Sequence, residues 1–369
     1  MADQISSSLR PVRLSDHGFI GLLKEQMRAH ALLVVSCILY FCVALIITLS
    51  LGKPFGFSAW PYLEMIFTIM VPLTFMGSLI LVFFYMALVK KPKHLTRAFI
   101  DFYKPYIINP KRWAKAIPGI AIMMLGFMAF TEMKSVIPLM NPYSWDIAFM
   151  ELDRLLHFGQ DPWQLLQPLF GSTAPTLTLN FIYNLWFFVM FGFWLASGWT
   201  QEDNGWERQF LLSFIWCWII GGTILAIIFS SMGPAFYDLV NTSSNPYAAQ
   251  MSFLQGINET HEVLALGTQD ILREGYLNPS SGGLSGISAM PSLHNATSTL
   301  FMLAAYHIHK IFGHVMLAFL ACIIIGSVHL AWHYAVDAYA GIIIALILWK
   351  LSGVALRWQD KRYALKAAT

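Results

Sequence analysis

The chain has 369 residues, 57% of them hydrophobic and 12% charged, with a formal net charge of +3. Soluble domains carry about 25% charged residues, so the deficit points to a bilayer as solvent. So small a net charge excludes nucleic acid as an expected partner. Cys37, Cys42, Cys217 and Cys322 all fall inside long apolar runs. They form neither a disulfide framework nor a metal-ligand pattern and read as inert core thiols, and no metal or cofactor is expected. The first 30 residues are polar and lack a cleavage pattern, so the first span is expected to be retained.

A spanning helix needs about 20 mostly apolar residues. In chain order, eight segments fit: 31–51, 66–89, 114–131, 177–198, 210–230, 291–308, 313–331 and 334–355. The first five have no ionisable residue in their interiors, and helices apolar on every face belong in lipid. The expected class is an all-α integral membrane protein. Its parts are an N-terminal segment (1–30), N-terminal membrane helices (31–131), interfacial helices (132–176), a membrane core (177–356) and a tail (357–369). Arg10, Arg13, Lys24 and Arg28 precede the first span. Lys90, Lys91, Lys93, Arg97, Lys104, Lys111, Arg112 and Lys115 follow the second, and Arg357, Lys361, Arg362 and Lys366 follow the last. An even number of spans puts all three basic segments on one side, which the positive-inside rule assigns to the cytoplasm. The amphipathic stretch 142–170 reads as helices lying on the opposite interface. Residues 239–288 read as a cap over the site or as a partly disordered segment.

The polar residues of the spans gather at that opposite boundary. The fifth span ends near Ser230-Ser231-Met232-Gly233-Pro234-Ala235-Phe236-Tyr237-Asp238. The sixth begins Pro291-Ser292-Leu293-His294-Asn295, and the seventh passes to the eighth through His329-Leu330-Ala331-Trp332-His333-Tyr334-Ala335-Val336-Asp337. Ionisable groups are costly in a membrane and mark function. Pro291 suits the first turn of a helix, and the N-termini of the sixth and eighth spans would aim free N–H groups at the cluster and favour a phosphate. Gly282, Gly283 and Gly286 allow a close approach before the sixth span. His333 and Asp337, spaced i, i+4, share a helix face. The carboxylate can take one imidazole proton and leave the other nitrogen as nucleophile or base, while His294 can protonate a leaving oxygen. Ser292, Asn295, Pro291, Tyr237 and His329 are candidate substrate contacts; His329 either touches the phosphate or caps the seventh span. His307, His309 and His314 sit at the other boundary, where Lys350 snorkels.

Pro291-Ser292-Leu293-His294 and His333-Tyr334-Ala335-Val336-Asp337 resemble the two motifs of the type 2 phosphatidic acid phosphatase superfamily, over roughly 177–355. The resemblance implies a six-helix catalytic core, attack by His333 to form a phosphohistidine, orientation by Asp337 and proton transfer by His294. Phosphatase members carry a Lys and an Arg-Pro ahead of the first motif and Ser-Arg ahead of the second His. Here no such pair stands ahead of His294, and Val328 follows Ser327. The pattern is similar to the branch of inositol phosphorylceramide synthase and sphingomyelin synthase. Gly233-Pro234-Ala235-Phe236-Tyr237 is also similar to a segment of that branch. The expectation is a phosphotransferase acting on membrane lipids. The alternatives are a lipid phosphate phosphatase, with Arg273 or His329 replacing the arginines, and a transporter with a His/Asp relay.

Overall fold

The computed structural model describes residues 18–56, 59–199, 205–241, 244–278 and 286–368. Arg10, Arg13, Gly282 and Gly283 lie outside the described residues, as do the side chains of Lys115 and Lys366. Among the described residues all regular secondary structure is helical. Helix α1 (Phe19–Ala29) leads through His30 into α2 (Ala31–Ser50), apolar on all faces. Helix α3 (Trp60–Lys90) contains wide π turns at Ile66–Met70 and Met86–Lys90. Pro72 follows the first of these; a proline has no N–H to give to the preceding turn. The amphipathic α4 (Leu95–Ile108) precedes α5 (Pro110–Met140), whose first turn is capped by the Asn109 side chain accepting from Lys111 N at 3.0 Å. Helix α5 runs well past its predicted end at 131 and carries Glu132 and Lys134 with it.

Two short helices follow, α6 (Asp146–Leu156) and α7 (Pro162–Phe170), then α8 (Thr173–Trp199) and α9 (Trp206–Ile228). Residues 239–288, where described, include two helices, α10 (Ala248–Asn258) and α11 (Leu264–Leu277), whose Gln250 and Gln269 donate to the carbonyls of Val328, His329 and Leu330. The chain ends with α12 (Leu293–Ile308), α13 (Lys310–His329) and α14 (Ala335–Ala368). Seven of these helices are long and apolar enough to cross a membrane: α2, α3, α5, α8, α9, α13 and α14. Helix α12, predicted as a span, has 16 residues, short of the usual 20.

The core lies between α5, α8, α9, α12 and α13. Phe193, Phe210, Phe214 and Phe301 interlock there, with Phe193 stacked on Phe301 at 5.0 Å between ring centres. Helix α14 packs on α12 so closely that a Cβ on Gly341 would collide with the Ser292 carbonyl. Helix α3 is peripheral, with most of its side chains exposed on the apolar outside. Of the cysteines, Cys37 and Cys217 are buried as expected, whereas Cys42 is exposed on α2.

Candidate active site

Three turns converge at the end of the bundle where α9, α13 and the loop before α12 terminate. Ala289 N donates to Ser231 O at 3.0 Å, Ala235 N to Ala331 O at 2.9 Å, and Ser292 N to Asp337 O at 3.0 Å. The N–H groups of Trp332 and His333 both donate to Ser327 O, at 2.9 and 3.0 Å. The polar motif segments are thus tied together through their own backbones, so the site is built from turns held at fixed register.

His333 lies in the turn before α14 rather than on the helix. Its Nδ1 still faces Asp337 Oδ2 at 3.3 Å, and the same oxygen accepts from Tyr334 N at 3.0 Å. Both side chains are buried. An Nδ1–H held by a carboxylate fixes the tautomer and leaves Nε2 with a lone pair. Burial, and then the positive charge of Lys134, push His333 down to about 3, against the Ala289 carbonyl, which favours the protonated form. The ring is therefore neutral at physiological pH. His294, on the first turn of α12, stands across from it with ring centres 6.3 Å apart. It is wedged between Tyr183, stacked at 4.7 Å, and Trp186 at 4.2 Å, and Trp186 is itself held by Nε1 donating to Thr297 Oγ1 at 2.9 Å.

The other candidate contacts divide. Ser292 caps α12, accepting from Asn295 N at 3.5 Å and Asn295 Nδ2 at 2.9 Å; Asn295 Nδ2 also reaches Ser327 Oγ at 3.3 Å. Pro291 therefore precedes the cap instead of filling the first helical turn, because the Ser292 hydroxyl supplies the acceptor that ends the loop. His329 points away: its Nε2 meets Thr176 Oγ1 at 2.9 Å, and Phe170 and Phe253 flank its ring. Tyr237 packs edge-on against Tyr247 in a second apolar cluster with Phe149, Met290 and Tyr334. Arg273 is held by Asp238, with two contacts of 2.8 Å, and by Ala235 O at 3.1 Å. It cannot replace a missing arginine without giving those up.

The N-terminus of α14 is not open to an anion, contrary to expectation. Asp153 of α6 accepts from Ala335 N at 2.8 Å and Val336 N at 2.9 Å. Asp146, one turn-pair earlier, accepts from Met232 N, Gly233 N and Tyr334 Oη at 2.9–3.0 Å. Both carboxyls are buried, which raises Asp146 and raises Asp153 to about 7 against these N–H donors. Helix α6 thus does more than lie on an interface: it clamps the turns that carry the histidine. Lys134 of α5 reaches the same place. It packs against Gly286, where a Cβ would lie 2.9 Å from its Cγ, and its charge acts on both His294 and His333. Reading the sequence for spans missed these three. The signal for two of them was present: Asp146, Phe149, Met150 and Asp153 fall at i, i+3, i+4, i+7, so both acids sit on the apolar stripe.

A bundle with seven helices apolar enough to cross a membrane holds two facing imidazoles, one backed by a carboxylate, which are groups that nucleophilic and acid–base chemistry use. The family model of the PAP2 superfamily matches residues 147–351, more than half of the chain. The chain belongs to that superfamily and is a lipid phosphatase/phosphotransferase enzyme acting on membrane lipids. Neither the curated proteins nor the solved structures give a match.

Proposed function

We propose that this enzyme transfers a phosphate-bearing head group from a phospholipid to a lipid or polar acceptor through a phosphohistidine at His333. The observation that carries the reading is the placement of His333, locked by Asp337 on one nitrogen and faced by His294 within reach of one phosphoryl group. In the first step His333 Nε2 forms a bond to phosphorus. The bond from phosphorus to the donor's lipid oxygen breaks, and His294 gives that oxygen its proton. In the second step His294 takes the proton of an acceptor hydroxyl, the oxygen bonds to phosphorus, and the phosphorus–nitrogen bond breaks. Asp337 balances the charge that His333 gains in between. Val328 in place of an arginine and the engagement of Arg273 by Asp238 favour a diester donor. A doubly charged monoester needs more cations than the site holds.

Eight passes fit this reading. Gln359 Nε2 of α14 donates to Ala29 O at 2.9 Å, and Gln359 Oε1 accepts from Leu32 N at 3.2 Å. The start of α2 and the late part of α14 thus share one end of the bundle. These contacts favour an even number of passes, with α12 as the eighth, and the basic segments favour a cytoplasmic side for that end and a site facing the periplasm or lumen.

The test uses purified protein in detergent with a labelled phospholipid, with and without candidate alcohol acceptors. Label appearing on the acceptor, with little inorganic phosphate in its absence, is the expected result. Release of inorganic phosphate without an acceptor, at the same rate, would sink the transferase reading.

A further inference from the structure

Deeper in the bundle than the histidines, an apolar cavity lies between α3, α5, α8 and α9. Ile66 and Phe67 of α3, Met123 of α5, Phe191 and Leu195 of α8 and Leu211 of α9 line it. The hydroxyl of Ser197 at its edge is occupied, donating to Trp194 O at 2.8 Å. The cavity is continuous with the site through two helix faces. Tyr183, stacked on His294, marks the level of the reacting groups on α8. Beyond it Phe187, Phe191, Leu195 and Gly198 follow at helical spacing, and Phe187 meets the His294 ring edge-on at 6.3 Å. On α5 the same path runs from Lys134 through Thr131, Phe127 and Met124 to Ile120, in steps of three and four residues. At 1.5 Å per residue, Phe191 lies about 12 Å from the level of Tyr183 and Gly198 about 22 Å. The floor closes where helices meet. A Cβ on Gly198 would lie 3.3 Å from that of Ala116, and one on Gly119 would lie 3.6 Å from Leu211 Cδ1. The wide turn of α3 at Ile66–Met70 forms the outer wall, with Phe67, 60% exposed, at the mouth.

Counting its mouth, the cavity encloses about 590 Å³. A methylene fills roughly the 30 Å³ of a liquid water, so one acyl chain fits and a pair does not. The tails of one leaflet reach about 15 Å, and the glycerol linkage extends that reach. A tail hung from a phosphate between the histidines therefore ends near the floor.

We propose that this cavity holds one acyl tail of the lipid whose phosphorus His333 attacks, and that its floor at Gly198 and Gly119 sets the preferred tail length. This rests on phosphoryl chemistry at His333 and holds for a transferase and a phosphatase alike. The second tail would lie past Phe67, in the surrounding lipid. Selection comes from fit, because bilayer tails are as apolar as the walls and leaving them gains no hydrophobic energy. A chain too short leaves wall atoms without contacts, and one too long meets the closed floor.

The experiment supplies the protein in mixed micelles with phosphatidylcholine, phosphatidylethanolamine, phosphatidylglycerol and phosphatidylinositol, each in dioctanoyl, dimyristoyl, dipalmitoyl and distearoyl forms with a labelled head group. In wild type kcat/KM should peak at one tail length. Leu195→Trp raises the floor and should lower the palmitoyl-to-octanoyl ratio of kcat/KM about 10-fold. Leu211→Ala deepens it and should move the peak to longer tails. Each ratio is taken within one protein, so loss of folded material cancels. Unchanged ratios in both variants overturn the tail site and leave the cavity to bulk lipid. A shift with the acceptor's tail length instead of the donor's overturns the assignment to the donor. A second arm reads binding alone, by photolysing the same phospholipids with a diazirine near the end of one tail on His333→Ala protein. Cross-links to Met123, Phe191 or Leu195 support the site, whereas cross-links confined to the outer faces of α2 and α3 overturn it. Turnover by His333→Ala overturns phosphoryl chemistry at that residue; an inactive His333→Ala with unchanged ratios overturns the tail site alone.

Discussion

At the end of the bundle away from His333, Arg208 is buried against Asp360, with contacts of 2.7 and 3.1 Å, and donates to Ala29 O at 3.1 Å. At the His333 end, Asp146 and Asp153 are equally buried but pair with no Lys or Arg among the described residues; they accept from backbone N–H groups and one tyrosine hydroxyl. The first arrangement joins three helices through one cation, which pairs with a carboxylate on α14 and donates to a carbonyl on α1. The second holds the shape of turns, because each acid bonds consecutive N–H groups and dictates the path of the chain between them. Charge paired with charge secures a fold here, whereas charge paired with backbone secures a geometry.

Substitutions can break that distinction. The largest effect belongs to the reacting ring: His333→Ala should lower turnover by more than about 10⁴-fold, and His294→Ala by about 10²- to 10⁴-fold, measured as label transferred per folded molecule. Arg208→Met should cost about 3–5 kcal/mol of stability by stranding Asp360. Activity per folded molecule should stay near wild type. If activity falls with it, the far end is not merely a fastening. Asp153→Ala should do the reverse. It leaves the N–H groups of Ala335 and Val336 unpaired, at about 1–3 kcal/mol each, and should lower kcat more than its melting point suggests.

Asp153 also has a pH signature. Its carboxyl is raised to about 7 in the fold from an ordinary 3.8, so the folded protein carries an extra proton between those values. The stability this contributes is fully present below about pH 4 and lost as pH rises through 7. The charge it faces comes from Asp337, which raises it, and His157, which lowers it; the α14 N–H groups also lower it. Melting curves of wild type and Asp153→Asn between pH 4 and 8 should therefore converge or cross as pH rises; a constant gap would contradict the buried carboxyl. The smallest effect is expected from Tyr334→Phe, which removes one donor to Asp146 and should cost about 1 kcal/mol.

Much of the site was legible because membrane burial makes ionisable residues rare. His294, His333 and Asp337 stood out against apolar runs, and span ends placed them at one boundary. Lys134 was not legible, since it lies three residues beyond the predicted third span, where a lysine normally reads as a membrane-edge anchor. Asp146 and Asp153 were hidden by being among several charges in an amphipathic stretch. Glu151 between them is exposed, and only the apolar stripe separates the inward acids from it. The expected roles of the α14 N-terminus and Arg273 failed for one reason: a sequence lists donors and acceptors without showing which are already paired. His329 illustrates the same point, its ring turned to Thr176 by the way α8 begins beside α13.

The aromatic vice on His294 has a kinetic corollary. A ring gripped by Tyr183 and Trp186 cannot swing between two stations. In the mechanism proposed above it then hands over and receives its proton along one edge. The departing alcohol and the arriving one would occupy the same berth at different times. Initial-rate measurements with two substrates should give parallel double-reciprocal lines, and loosening the grip with Trp186→Leu should slow both half-reactions together.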